Sequence, residues 1–200
     1  MNYPKFFDDV PTITLQDPLS DVLGTFEDGI VEFSYLDIVK ASGHSCPTVA
    51  GAYLVTFYAL KELYVDSMPK RGDIKVAFEN PLEEGVTGVI ANVITHITGA
   101  TQKSGFKGLN GKFARHSLME FEQKVQNIAF TRKETNQTVE VTYNPSSIAP
   151  NPQMQPLMQK VMQGTATKEE KKLFGELWQE RVEKILLQNS QSLILISSIK

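Results

Sequence analysis

The stretch Ser42–Pro47 reads Ser-Gly-His-Ser-Cys-Pro and is followed directly by an apolar run from Thr48 to Tyr64. Proline is favoured at the first position of a helix, so Pro47 predicts that this run is helical. The run carries no charge before Lys61, and a helix that is apolar on nearly all sides is a core helix. We therefore expect the fold to be built around a buried helix that begins at this stretch.

Gly51 lies in the first turns of the predicted core helix, where glycine costs about 1 kcal/mol relative to alanine. Two interpretations account for that cost. Either another helix packs closely against Gly51, or the missing side chain leaves room for a ligand.

The remaining periodic segments predict a mixed sheet and a second buried helix. Thr87–Thr98 has apolar residues at helical spacing and is followed by Gly99, which is typical of a helix C-terminus. Three further segments have strand character: 74–79, 126–132 and 137–143. The fold class is therefore α+β, with a mixed β-sheet packed with two buried helices, plus a C-terminal helical extension.

The C-terminal part differs in composition from the rest. Four of the ten prolines lie between Asn144 and Pro156, which predicts a linker. Beyond it, Thr167-x-x-Glu170 is a capping box that opens a helix. The predicted division is an α+β metal-binding domain over 1–143, a proline-rich linker over 144–156, and a C-terminal helical extension and tail over 157–200.

Composition excludes several classes of function. The 20 Lys and Arg against 23 Asp and Glu give a net charge of −3, which argues against a nucleic acid partner. No stretch approaches the ~20 apolar residues of a membrane helix, and the N-terminus lacks a signal-peptide core, so no membrane partner is expected. One cysteine cannot form an intramolecular disulfide. We expect a cytoplasmic protein.

His44 and Cys46 are the best candidates for a chemical site. Cys46 precedes the proline-initiated helix, where unsatisfied N–H groups and the helix dipole favour a thiolate. In an extended segment, side chains two residues apart point the same way, so both can face one metal ion. An imidazole and a thiolate suit Zn²⁺, with nickel or iron as alternatives. Further ligands have to come from elsewhere, and the candidates by residue type are Glu79, Glu83, Glu84, His96 and His116.

Other interpretations of the same residues stay open. Cys46 can be a small buried hydrophobic residue, a nucleophile with His44 as its base, or a haem thiolate ligand. His96 on an apolar helix is more typical of a satisfied core histidine, and His116 is expected at the surface. The glycine-rich segment Gly99–Gly111 is a candidate ligand loop in which Lys103 and Lys107 can contact an anion.

Gly43-His44-Ser45-Cys46-Pro47 and the following apolar helix resemble the signature of the FmdE-like family, whose members are similar to the E component of formylmethanofuran dehydrogenase. The usual form of that signature is His-Gly-His-x-Cys-Pro-Gly. Thr98–Thr101 is similar to the family's Thr-Gly-Cys-Thr loop, and the resemblance covers roughly residues 34–143. This chain departs from the pattern at Ser42, Thr48 and Ala100, where the family has histidine, glycine and cysteine, so it resembles a divergent subgroup.

The resemblance implies an α+β domain, a divalent metal at His44 and Cys46, and a homodimer. We also expect Gly99, Thr101 and Lys103 to bind the cofactor or ligand, in a loop that roofs the metal site. The expected function is a metal-binding protein that binds or transforms a small molecule. The alternatives are a non-catalytic accessory subunit or metal-handling protein of a redox complex, and an interaction module with a buried Cys46. No catalytic residue is assigned, although Glu79, Glu83 or Glu84 can supply a base.

The C-terminal tail is short, apolar and strand-like. Because such a segment has little reason to lie in water, we expect Leu193–Ile196 to pair with a partner chain as an added strand.

Overall fold

The computed structural model describes residues 2–188 and 190–199. Over these ranges the chain has the predicted α+β fold. The α-helices are α1 (Pro18–Val22), α2 (Tyr35–Ser42), α3 (Pro47–Leu63), α4 (Thr87–Thr98), α5 (Met154–Met162) and α6 (Lys168–Glu183). The strands are β1 (Ile13–Gln16), β2 (Ile30–Phe33), β3 (Ile74–Phe78), β4 (Met119–Glu120), β5 (Ile128–Arg132), β6 (Thr138–Tyr143) and β7 (Ile194–Ile199).

The larger sheet is mixed, as predicted. Its strand order is β4-β3-β5-β6-β7, with β3 and β4 parallel and each other neighbouring pair antiparallel. The smaller sheet is the antiparallel pair of β1 and β2. Buried residues of the larger sheet, such as Val76, Phe130, Val139 and Val141, belong to the same core cluster as the helices.

Helix α3 forms the centre of the core, because its sequence is apolar around most of its circumference. It contacts α2, α4 and the strands β5, β6 and β7. Tyr53, Leu60 and Leu63 are among its almost fully buried side chains. Full burial of each large apolar side chain is worth about 1.5–3 kcal/mol, so the burial of α3 is a main source of stability.

Helix α4 has the predicted bounds and the predicted end. Gly99 adopts a left-handed conformation, with φ of 74°, and its N–H donates to the carbonyl of Thr95. Val93, Ile94 and Ile97 are buried in the core, whereas Val89 and His96 are exposed. The helix is thus buried along one face, and the interpretation of His96 as a core histidine is wrong.

The C-terminal region joins the same core. The capping box at Thr167 and Glu170 opens α6 as predicted, and Val182, Ile185 and Leu186 are buried beyond it. β7 then pairs with β6, with Ile194 opposite Tyr143. The expectation that the tail pairs with a partner chain is corrected here, because one edge of β7 completes the sheet of its own chain. β7 is the outermost strand of that sheet.

Two further predictions concern the whole chain. Across residues 2–188 and 190–199, no helix is long and apolar enough to cross a bilayer. The division into 1–143, 144–156 and 157–200 concerns which segments can fold independently, and it stays a prediction.

Candidate functional site

The Ser42–Pro47 stretch forms the sharp connection between α2 and α3. Gly43 ends α2 in a left-handed conformation, with φ of 76°, which glycine adopts without the strain of a side chain. Cys46 is then extended, with φ of −151° and ψ of 168°, and Pro47 opens α3 as predicted. The connection therefore presents His44, Ser45 and Cys46 just before the N-terminus of the core helix.

Cys46 occupies the predicted N-cap of α3. Its Sγ accepts a hydrogen bond from the backbone N–H of Val49 at 3.4 Å. The residue is half-buried and packs against the core. An N-cap side chain that accepts a backbone hydrogen bond is held in one place.

His44 is exposed, and its ring is oriented by the backbone of Ser42. Its Nδ1 lies 3.0 Å from the carbonyl oxygen of Ser42. A carbonyl can only accept a hydrogen bond, so the proton of the neutral imidazole belongs on Nδ1 and the lone pair on Nε2. Histidines that bind metals are commonly oriented in this way, with one ring nitrogen donating to a carbonyl and the other free to ligate.

Ser45, between the two candidate ligands, is fixed on both its side chain and its backbone. Its Oγ lies 3.0 Å from the hydroxyl of Tyr35. Its carbonyl accepts from Trp178 Nε1 at 3.0 Å and from Gln179 Nε2 at 3.2 Å. Burial raises the pKa of Tyr35 far above its ordinary value, so its hydroxyl stays protonated. Nothing in the sequence around Trp178 signalled this contact.

A cavity of about 320 Å³ lies along the first turns of α3. Gly51, Val55, Ile128 and Val141 contribute to its apolar wall. Its polar lining residues are Asn80, Glu84, Thr87, Asn127 and Tyr143. An apolar wall with a few polar groups is typical of a site for a small organic molecule.

Tyr143 connects this cavity to the start of α3. Its hydroxyl donates to the carbonyl of Pro47 at 3.0 Å, next to Cys46, while its ring covers Gly51. A Cβ at Gly51 would fall within 2.6 Å of three ring atoms. Gly51 therefore serves close packing, although against an aromatic ring and not against another helix. Burial raises the pKa of Tyr143, an effect that Arg181 opposes and Cys46 assists.

The Ser42–Pro47 stretch is also accessible from the protein surface. Gly43 and Ser45 line a shallow groove of about 590 Å³ together with Tyr3, Leu36 and Gln179. The exposed ring of His44 belongs to this connection, so a ligand at His44 is accessible from solvent.

The five candidate additional ligands do not gather at the motif. Glu79 Oε2 accepts from the backbone N–H of Asn127 at 2.9 Å, and Glu84 lines the cavity along α3. Glu83 and His96 are exposed. His116 is half-buried, with Nδ1 3.0 Å from Ser117 Oγ. In the part of the chain that the structure describes, no group of three or more His, Cys, Asp or Glu residues could hold a metal ion.

The Gly99–Gly111 loop lies elsewhere. Thr101 Oγ1 donates to the carbonyl of Arg115 at 2.8 Å, while Lys103 is exposed. Thr87, at the start of α4, lines the cavity, whereas the loop begins at the other end of that helix. At 1.5 Å per residue, the two ends of α4 are about 18 Å apart. The expectation that this loop roofs the site is wrong. Ligand binding by Gly99, Thr101 and Lys103 stays a prediction.

A comparison with known families covers the motif. A family model described as FmdE, molybdenum formylmethanofuran dehydrogenase operon, matches residues 41–194. The chain belongs to the FmdE family. The FmdE match begins just before the motif and continues through α6, so it includes Trp178 and Gln179 as well as the cavity residues. A search of curated proteins finds no match to this chain.

Proposed function

We propose that this FmdE-family protein binds a divalent metal ion through His44 Nε2 and Cys46 Sγ. The observation that carries the proposal is the anchoring of His44 Nδ1 to the Ser42 carbonyl, beside a cysteine that caps α3. These contacts leave Nε2 of His44 and Sγ of Cys46 as the donor atoms of the proposed site. One imidazole and one thiolate suit zinc best, with nickel or iron as alternatives.

The donor set fits an open site and does not fit a closed structural one. Structural zinc sites use four protein ligands, whereas catalytic sites leave a position for water or substrate. With two protein donors, the remaining positions fall to water, a ligand or a residue of a second chain. A metal bound there supplies Lewis acidity or an activated water.

The proposal places a small organic molecule in the cavity along α3. Tyr143 supports this location, since its ring lines the cavity and its hydroxyl binds the first residue of α3 after Cys46. Asn80, Asn127 and Thr87 would orient polar groups of the ligand. If the protein is an enzyme, Glu84 is the carboxylate best placed to accept a proton, because it lines the same cavity.

A second candidate function is a non-catalytic accessory or metal-handling protein of a redox complex. The family description, which names an operon for formylmethanofuran dehydrogenase, favours it. A metal whose ligand positions are all filled by the protein, with no ligand bound in the cavity, would support this candidate over the first.

The decisive experiment measures metal content by mass spectrometry in protein purified without an affinity tag. The variants are His44→Ala and Cys46→Ser, with His96→Ala as a matched control for an exposed histidine outside the motif. We expect both motif variants to lose most of the metal and the control to keep it. Equal metal content in all four proteins would overturn the proposal.

Two wider features belong to the proposal. The single cysteine suits a reducing cytoplasm, in which its thiol stays free. A homodimer is also part of the proposal, and the exposed apolar side chains of Leu195 and Ile199 on the outermost strand support it.

A further inference from the structure

A buried cluster of ionic groups lies at the other end of the core, next to the loop that follows α4. Asp17 caps α1 and accepts from Arg71 Nη1 at 2.9 Å and from Arg115 Nη2 at 2.6 Å. The side chains of Asp17 and Arg115 are 8% and 9% exposed. One carboxylate therefore faces two guanidinium groups, which leaves an excess positive charge in a largely desolvated place.

The hydrogen bonding of this cluster is incomplete. Arg71 also donates from Nε to the Ile97 carbonyl and from Nη2 to the His96 carbonyl. Arg115 Nη1, by contrast, is buried with no hydrogen-bond partner among the described residues. The cluster therefore contains a buried N–H group that no acceptor among the described residues satisfies.

Arg115 Nη1 packs directly on Gly72, where any Cβ would overlap it. Gly72 in turn lines an open cleft of about 490 Å³. Four cationic side chains line this cleft, from Lys70, Arg71, Lys112 and Lys133, against the two carboxylates of Asp73 and Glu134. The cleft is thus positive in a protein whose overall charge is −3.

The two carboxylates of the cleft are already engaged. Glu134 pairs with Arg132 at 2.5 Å and lies 4.0 Å from Lys70, and Asp73 accepts from the Tyr64 hydroxyl at 3.4 Å. Lys112 makes no ion pair within residues 2–188 and 190–199. The backbone on either side of Lys112 is fixed by paired hydrogen bonds between Leu109 and Lys112 at 2.9 Å each.

We propose that this cleft binds the phosphate or carboxylate group of a small-molecule ligand, with Lys112, Lys133 and Arg71 as its charged donors. Lys133 Nζ donates to the Gly72 carbonyl at 3.1 Å, which holds its charge over the floor of the cleft. Arg71 is oriented by Asp17 and by the carbonyls at the end of α4. The site is separate from the His44 and Cys46 motif and does not rest on the function proposed for it.

Isothermal titration calorimetry tests the proposal with two probes, inorganic phosphate and succinate, at constant ionic strength. Lys112→Ala removes a cleft cation that makes no ion pair with the described residues, and it does not touch the buried cluster, so it is expected to leave the fold intact. Lys124→Ala is the matched control, since Lys124 is an exposed lysine that does not line the cleft. A charge-assisted hydrogen bond is worth a factor of about ten in affinity.

We expect the wild-type protein to bind at least one probe, Lys112→Ala to bind it about tenfold more weakly, and Lys124→Ala to bind it unchanged. Binding of phosphate but not succinate would identify a phosphate group as the ligand, and the reverse result a carboxylate. Absence of heat with both probes at about 10 mM, a concentration that reveals even weak binding, or equal loss in the two lysine variants, would overturn the proposal. Thermal unfolding of each variant checks that the comparison is made on folded protein.

Discussion

Substitution of Gly51 by alanine tests whether Tyr143 packs against the start of the core helix as described. In an exposed helix, glycine to alanine stabilises by about 1 kcal/mol, because alanine has the higher helix propensity. At Gly51 the new methyl group would fall within 2.6 Å of three atoms of the Tyr143 ring. Such overpacking costs about 1–3 kcal/mol, and displacement of the ring also breaks the hydrogen bond from Tyr143 to Pro47, worth about 1 kcal/mol.

The net expectation for Gly51→Ala is a loss of about 1–3 kcal/mol in the free energy of unfolding, since the overpacking and the lost hydrogen bond outweigh the gain in propensity. For a chain of this size, that corresponds to a fall in Tm of about 2–12 °C by calorimetry. Gly175→Ala is the matched control, because Gly175 is exposed in α6 and, apart from its chain neighbours and the nearby backbone of its own helix, no atom of the described residues lies within 4 Å of its added Cβ. We expect that control to raise Tm by about 2–4 °C.

A double-mutant cycle separates ring packing from other effects at Gly51. In a Tyr143→Ala background the obstruction is gone, so Gly51→Ala should stabilise by about 1 kcal/mol, like Gly175→Ala in the wild type. The reasoning is refuted if Gly51→Ala stabilises the wild-type protein, or if its effect has the same sign and size in both backgrounds.

Other contacts in the structure lead to three further predictions. Burial raises the pKa of Asp17, but Arg115 and Arg71 outweigh it and hold that pKa below its ordinary value, so its contribution is complete above about pH 4 and is lost as the pH falls further. Asp17→Asn should cost about 3–5 kcal/mol at pH 7 in urea unfolding, because it leaves Arg115 and Arg71 without their carboxylate. The stability of the variant should fall less than that of the wild type as the pH drops below about 4; a parallel acid dependence would contradict this. Trp178→Phe removes one of the two hydrogen bonds to the Ser45 carbonyl and should cost about 1 kcal/mol in the free energy of unfolding. Binding of metal at the motif should change the fluorescence of Trp178, the only tryptophan. Unchanged fluorescence on binding of a metal would count against the motif as the metal site. Leu195→Lys places a charge on the exposed outermost strand and should shift light scattering from dimer towards monomer, whereas a monomeric wild-type protein would refute the dimer.

Local signals in the sequence were sufficient to predict the elements around the motif. The Pro47 start of α3, the Gly99 end of α4 and the Thr167 capping box each depend on residues within one or two helical turns. The position of Cys46 at the N-cap follows from the same kind of signal. Side-chain preferences at helix ends act over such short distances that one sequence is enough to recognise them.

Contacts between distant segments were not predictable in the same way. Trp178 reaches Ser45 across 133 residues, and Arg115 reaches Asp17 across 98. Nothing in the composition near Asp17 distinguishes it from an ordinary helix cap. The same limitation explains the error about the Gly99–Gly111 loop, because its distance from the motif depends on how α4 lies against α3.

The tail illustrates how a correct local prediction can lead to a wrong partner. Its strand character was recognised, and the structure has a strand at Ile194–Ile199. Its partner is β6 of the same chain, because the preceding helix α6 returns the backbone to that edge of the sheet. An apolar strand is stabilised by pairing at a sheet edge, and in this chain β6 provides that edge.

X-ray absorption spectroscopy at the metal edge tests the central claim most directly, because it identifies the atoms bonded to the metal. We expect the metal-loaded protein to show one sulfur ligand, at about 2.3 Å for zinc, together with nitrogen or oxygen ligands at about 2.0–2.2 Å. Cys46→Ser should remove the sulfur contribution, and His44→Ala should reduce the imidazole scattering. A spectrum without sulfur, or a sulfur contribution that persists in Cys46→Ser, would contradict the account.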